Sequence, residues 1–167
     1  MNEHQLALLK WITAGLTIPE VRQLYGNADY LLNNMIAKYS LASDSYAISV
    51  GALAELSKRG YDITQTYMRS HFYGKDQPFI YEHTIPAVVV REALLKTDCA
   101  LESVHQILEA GQVAMILRDE DNLLRKNGLS QKMPKGWKWG NDPLDRYHNA
   151  GIQLSGEFLK VRGGIVR

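Results

Sequence analysis

The chain has little of what holds or places proteins by covalent or membrane means. Its 167 residues include one cysteine, Cys99, so no internal disulfide can form and a reducing compartment is the natural setting. Cys99 falls in the break between two expected helices and reads as a half-buried thiol rather than a nucleophile. No apolar run approaches the about 20 residues needed to cross a bilayer. The first residues have no basic n-region, and Lys10 and Thr13 interrupt the apolar stretch there, so no targeting segment is read and a cytoplasmic location is expected. Internal repeats and low-complexity segments are also lacking.

What is present is ordinary for a globular protein: 46% hydrophobic and 22% charged residues. That composition excludes a disordered chain, and the length suits a single domain over residues 1–167. The net charge is only +1, but it is unevenly spread. Residues 123–167 hold nine Lys/Arg against three Asp/Glu, whereas residues 1–122 hold ten against fifteen. An anionic partner for the C-terminal part is one reading, and neutralisation of an acidic face of the same domain is the other.

Periodicity makes residues 1–72 a helical scaffold. Leu6, Leu9, Ile12 and Leu16 form a stripe over 4–15, and Thr17-Ile18-Pro19-Glu20 has capping-box spacing for a second helix that stops before Gly26. A third helix is expected over Ala28–Tyr39. A fourth, capped by Ser43 or Asp44, would end at Gly60, and a fifth would run from Asp62 to Phe72. Beyond the turn at 73–78, Phe79 to Ile85 reads as a short strand between prolines. Helices from Pro86 and over 100–110, a second short strand at Val113–Leu117, and a short helix capped by Asp119 follow. Leu129–Asp142 is irregular, Asp142-Pro143 opens a last short helix, and the tail EFLKVRGGIVR is an edge strand or frays. The expected class is mainly α (α+β): a helical N-terminal half, with a small two-strand element and short helices in the C-terminal half.

Chemistry concentrates in residues 79–148. Glu82-His83 sets an acid beside a histidine at a strand end, and a histidine there can serve as general base near neutral pH. On a regular strand adjacent side chains point to opposite faces, so only one of the two is expected at a given pocket unless a bulge or strand end intervenes. The run Arg118-Asp119-Glu120-Asp121-Asn122 offers hard oxygen ligands for a divalent ion such as Mg²⁺, with Asp119 and Asp121 as candidates. It equally suits the first turn of a helix, where the macrodipole favours acids. Lys132, Lys135, Trp137, Lys138 and Trp139 combine cations for phosphates with aromatic faces for unpaired bases. Alternatively, the two tryptophans anchor a long loop to the core. Arg146 can clamp a phosphate or a carboxylate.

Glu82-His83-Thr84-Ile85-Pro86 resembles the acid-His-x-x-Pro motif that opens HNH-type (His-Me finger) nucleases. The resemblance covers about residues 79–148. It implies that His83 is the base activating water and Asn122 the residue orienting it, with Asp119, Asp121 or His148 as metal ligands. The first expectation is therefore a nucleic-acid hydrolase acting on DNA or RNA, with His83, Glu82, Asn122 and His148 catalytic. In it, Lys132, Lys135, Trp137, Lys138, Trp139 and Arg146 hold the strand. A non-catalytic nucleic-acid-binding or regulatory protein using the same surface is an alternative. A protein-interaction module, such as an inhibitor or adaptor docking through the acidic helical half, is another.

Overall fold

Eight helices and five strands follow one another along the residues that the computed structural model describes, 1–27 and 29–162, with Asp29 described by its backbone alone. Helix α1 (Glu3–Thr17) opens on a capping box in which Asn2 accepts from the Gln5 amide and Gln5 accepts from the Asn2 amide. Helices α2 (Pro19–Asn27) and α3 (Asp29–Leu41) follow. Thr17 does not cap α2; its hydroxyl turns back to the Ala14 carbonyl of α1. The expected start of the third helix at Ala28 lies outside the described residues.

The next segment departs from the sequence reading. Ser45–Ser49 is a strand, β1, and only then does α4 (Val50–Lys58) begin, capped by the Ser49 hydroxyl accepting from the Ala52 amide. The fifth helix expected over Asp62–Phe72 is absent: a turn leads to the two-residue strand β2 (Tyr67–Met68) and a 3₁₀ turn at Arg69–Phe72. Strand β3 (Phe79–His83), which stops two residues short of Ile85, α5 (Ala87–Leu94), α6 (Leu101–Ala110) and β4 (Val113–Leu117) come where the patterns place them, while α7 (Arg118–Lys126) is capped at Leu117 and holds Asp119 inside its first turn rather than as its cap. Helix α8 (Asp145–Asn149) and β5 (Leu154–Arg162) complete the described chain.

The five strands form one mixed, curled sheet in the order β2-β5-β1-β4-β3. This corrects the expected class. The fold is mixed α/β with a sheet running through the middle and C-terminal regions, not a helical half joined to a two-strand element. Strand β5 is not an edge: it pairs antiparallel with β1 and parallel with β2, while β1 pairs parallel with β4. The true outer strand beside β4 is β3, with Glu82 opposite Ala114 and His83 opposite Val113.

Alternation along the strands separates two cores. Tyr46, Ile48, Phe79, Met115 and Leu159 pack on one face with α4 and Phe72. Ala114 and Ile116 pack on the other with Leu124, Leu129, Tyr147 and Ile152. A third cluster joins α1, α2, α3, α5 and α6 through residues such as Leu9, Ile36, Val90 and Leu108. Cys99 is half-buried between α5 and α6, with its sulfur 3.2 Å from an Arg22 guanidinium nitrogen. No helix among the described residues is long and apolar enough to cross a membrane.

Candidate functional site

Strand β3 ends at a crevice because Pro86 and the start of α5 leave it nowhere to continue. Thr84 leaves the ladder but stays tied to it, its amide donating to the Gln112 carbonyl at 2.7 Å. Pro86 then begins α5, its carbonyl accepting from the Val89 and Val90 amides. Asn33 of α3 and the Ser130-Gln131 segment wall off the space beyond, a crevice of about 270 Å³. Glu82 and His83 both border it. The alternation rule holds, since the two belong to opposite sheet faces, but β3 is an outer strand and its last residues flank the same opening.

Arg146 holds this end of the strand in place. It has no exposed surface. Nε donates to the Thr84 carbonyl at 2.9 Å, one terminal nitrogen to Leu129 and Ser130 carbonyls at 2.8 and 3.3 Å, and the other to the Glu82 carboxylate at 2.5 Å and to the His83 carbonyl. The planar fork of the guanidinium suits this convergence, which an ammonium could not reproduce. Arg146, expected at a phosphate, is thus a buried brace between β3 and the 129–130 segment. Tyr147 is fully buried beside it and donates to the Glu82 carbonyl at 3.0 Å. Burial also pushes the Tyr147 phenol well above its usual range, so it stays a neutral donor.

The two residues at the mouth are electrostatically unlike. Burial raises the Glu82 carboxyl above the usual carboxylate range, and the Arg146 charge only partly opposes this. Burial, reinforced by Arg146, lowers the His83 imidazole from 6.5 to about 4. His83 is therefore neutral at physiological pH. Its Nε2 is buried and has no hydrogen-bond partner among the described residues, and the same is true of Oδ1 of Asn33. Buried polar atoms are rarely left so, and both residues border the one crevice.

The remaining sequence candidates lie elsewhere. Asn122 is exposed on α7 and does not border the crevice. Within the acidic run, Glu120 accepts from the Leu117 amide at 2.8 Å and from the Ser49 hydroxyl at 2.6 Å. Asp121 is paired with Arg125 at 2.7 Å, and Asp119 is exposed. These acids serve the start of α7, and Asp119 and Asp121 join no ligand cluster among the described residues. A candidate metal cluster does exist, formed by Asp142, Asp145 and His148, with one ligand atom from each within 4.8 Å of the others. His148 is exposed on α8, whereas Arg146 and Tyr147 are buried.

Lys132, Lys135 and Lys138 are exposed along the irregular segment. Trp137 packs against the helical core and donates from its indole nitrogen to the Asp142 carbonyl at 3.0 Å. Trp139 stays 40% exposed, in a T-shaped pair with Trp137 at 5.5 Å between centroids. One tryptophan is thus an anchor and the other offers a face. Comparison with protein-family models, with curated proteins and with solved structures returns no match.

Proposed function

We propose that the protein is a nucleic-acid hydrolase in which His83 activates water against a phosphodiester seated in the crevice at the end of β3. The observation that carries this reading is that His83 and Asn33 border one crevice with Glu82, while His83 Nε2 and Asn33 Oδ1 are buried with no hydrogen-bond partner among the described residues. A neutral imidazole is the form that can accept a proton; burial and the Arg146 charge keep His83 in that form at physiological pH while making it a weaker base than a free histidine. Nε2 takes a proton from water, the water oxygen bonds to phosphorus, and the bond from phosphorus to the departing sugar oxygen breaks. The proton held by His83 then passes to that oxygen. Arg146 and Tyr147 act as positioning residues, fixing the backbone of Glu82, His83 and Thr84.

The resemblance to His-Me finger nucleases gives His83 the same role. Past the Ser130-Gln131 wall the chain continues into exposed Lys132, Lys135 and Lys138, which supports a strand running along that segment, with a base on Trp139. Asp142, Asp145 and His148 would hold a divalent ion such as Mg²⁺, supplying positive charge near the strand. The single cysteine fits a cytoplasmic setting.

The test is cleavage of labelled single- and double-stranded DNA and RNA across several divalent ions. The wild type cleaves at least one substrate, and His83→Ala lowers the rate by a factor on the order of 100 or more while strand binding persists. Salt-dependent binding without any turnover would instead select a non-catalytic nucleic-acid-binding protein, which the exposed face of Trp139 beside Lys138 also suits.

A further inference from the structure

A second cavity opens along the same strand. Phe79, Ile80 and Tyr81 of β3 border a cleft of about 540 Å³, twice the volume of the crevice bordered by Glu82 and His83 two residues further on. Helix α3 closes both: Asn33 borders the crevice, while Asn34 and Lys38 border the cleft. Four cationic residues, Lys38, Arg69, Lys75 and Arg118, border the cleft and no carboxylate does.

The charge of three of these is not spent within the described residues. Lys38, Lys75 and Arg118 make no ion pair with any described residue. Arg118 donates only to backbone carbonyls, those of Gln77 and Gly74, each at 2.7 Å. Those bonds curl the 74–77 turn toward the cleft without neutralising the guanidinium. Arg69 is buried, donates to the Ser43 carbonyl and lies over the Tyr46 ring, so it belongs to the frame of the cleft. The Tyr81 hydroxyl is buried with no hydrogen-bond partner among the described residues. Tyr73, 61% exposed, supplies an aromatic face at the rim. Lys38, Lys75 and Arg118 without an acid beside them call for an anion, and the volume and aromatic wall exceed what a bare phosphate would use.

We infer that this cleft binds a nucleotide, with its phosphate on Lys38, Lys75 and Arg118 and its ring against Tyr73 and Tyr81. This deepens the hydrolase reading, because residues 81 and 83 are about 7 Å apart along an extended strand. A nucleotide in the cleft is therefore the neighbour of a phosphodiester held at His83. The ligand is either the terminal nucleotide of a strand or a free mononucleotide, which share this chemistry.

The experiment is equilibrium binding to the full chain carrying His83→Ala, so that nothing is cleaved. The probes are adenosine and uridine monophosphates, inorganic phosphate, and oligonucleotides with and without a 5′-phosphate. Nucleotides bind at low salt, and Lys38→Glu with Lys75→Glu, both exposed and safe for folding, weakens them at least about tenfold. Tyr81→Phe weakens them less, and inorganic phosphate binds more weakly than either nucleotide. A preference for the 5′-phosphorylated oligonucleotide identifies a strand end, and equal binding of the mononucleotide identifies the free ligand; both support the pocket. No nucleotide binding, binding untouched by the lysine changes, or phosphate binding as tight as nucleotide binding overturns it. The two readings fail separately: nucleotide binding in a protein that cleaves nothing leaves the pocket standing, and cleavage without nucleotide binding leaves only the hydrolase.

Discussion

His83 is a histidine that the fold keeps from charging, and this has a consequence for stability. Its folded value of about 4 lies below the 6.5 of the unfolded chain. Between those values the unfolded state binds the extra proton, so the contribution of His83 is complete above about pH 6.5 and is lost as pH falls toward 4. The full loss is about 3 kcal/mol. Urea unfolding at pH 7 and pH 4.5 should therefore show a smaller acid loss for His83→Gln than for the wild type; equal losses would refute the buried neutral state. Arg146 makes the opposite prediction. Removing it leaves the largely buried Glu82 without its charge partner and takes a donor from the Thr84, Leu129, Ser130 and His83 carbonyls, so Arg146→Met should cost about 3–5 kcal/mol. Glu82→Gln, which keeps an acceptor, should cost only about 1–2 kcal/mol. Thermal unfolding of the two variants checks the ranking.

Among the elements, those built on local pattern were legible and those built on distant pairing were not. Helices α1, α5 and α6 follow apolar stripes, and β3 and β4 are β-branched or aromatic runs between breakers, so each was found from its own residues. Strand β1 was hidden because Tyr46 and Ile48 continue smoothly into Ala52 and Leu56, all buried, and the cap that separates strand from helix is Ser49 rather than Ser43 or Asp44. Strand β5, interrupted by Gly156, is a strand through its ladders to β1, more than 100 residues earlier in the chain, and to β2. The same split governs the site. Glu82-His83 was legible as a motif, but Asn33 comes to it from α3, and a buried brace cannot be told from a surface clamp in the letters around Arg146. Packing of the helical layer gives its own test. A Cβ at Gly15 would fall 2.3 Å from the Tyr25 hydroxyl and 2.8 Å from its ring, so Gly15→Ala should destabilise by about 1–3 kcal/mol through separation of α1 from α2. An unchanged melting temperature would contradict this contact.

Across the whole molecule, the charge asymmetry resolves into two places. Lys132, Lys135 and Lys138 line an exposed path beyond the crevice, and Lys38, Lys75 and Arg118 surround the cleft on β3's other stretch. Only the first is C-terminal, so the uneven spread along the chain located half of the positive surface. Lys135→Ala with Lys138→Ala should weaken strand binding and flatten its dependence on salt by about two counterions, with little effect on stability. The central claim concerns His83 itself. Its most direct test is kcat/KM for nucleic-acid cleavage as a function of pH, in the wild type and in His83→Ala confirmed folded by circular dichroism. Activity that is level near neutrality, falls only toward pH 4, and is lost in His83→Ala is the predicted result. Full cleavage by the folded His83→Ala variant would contradict it.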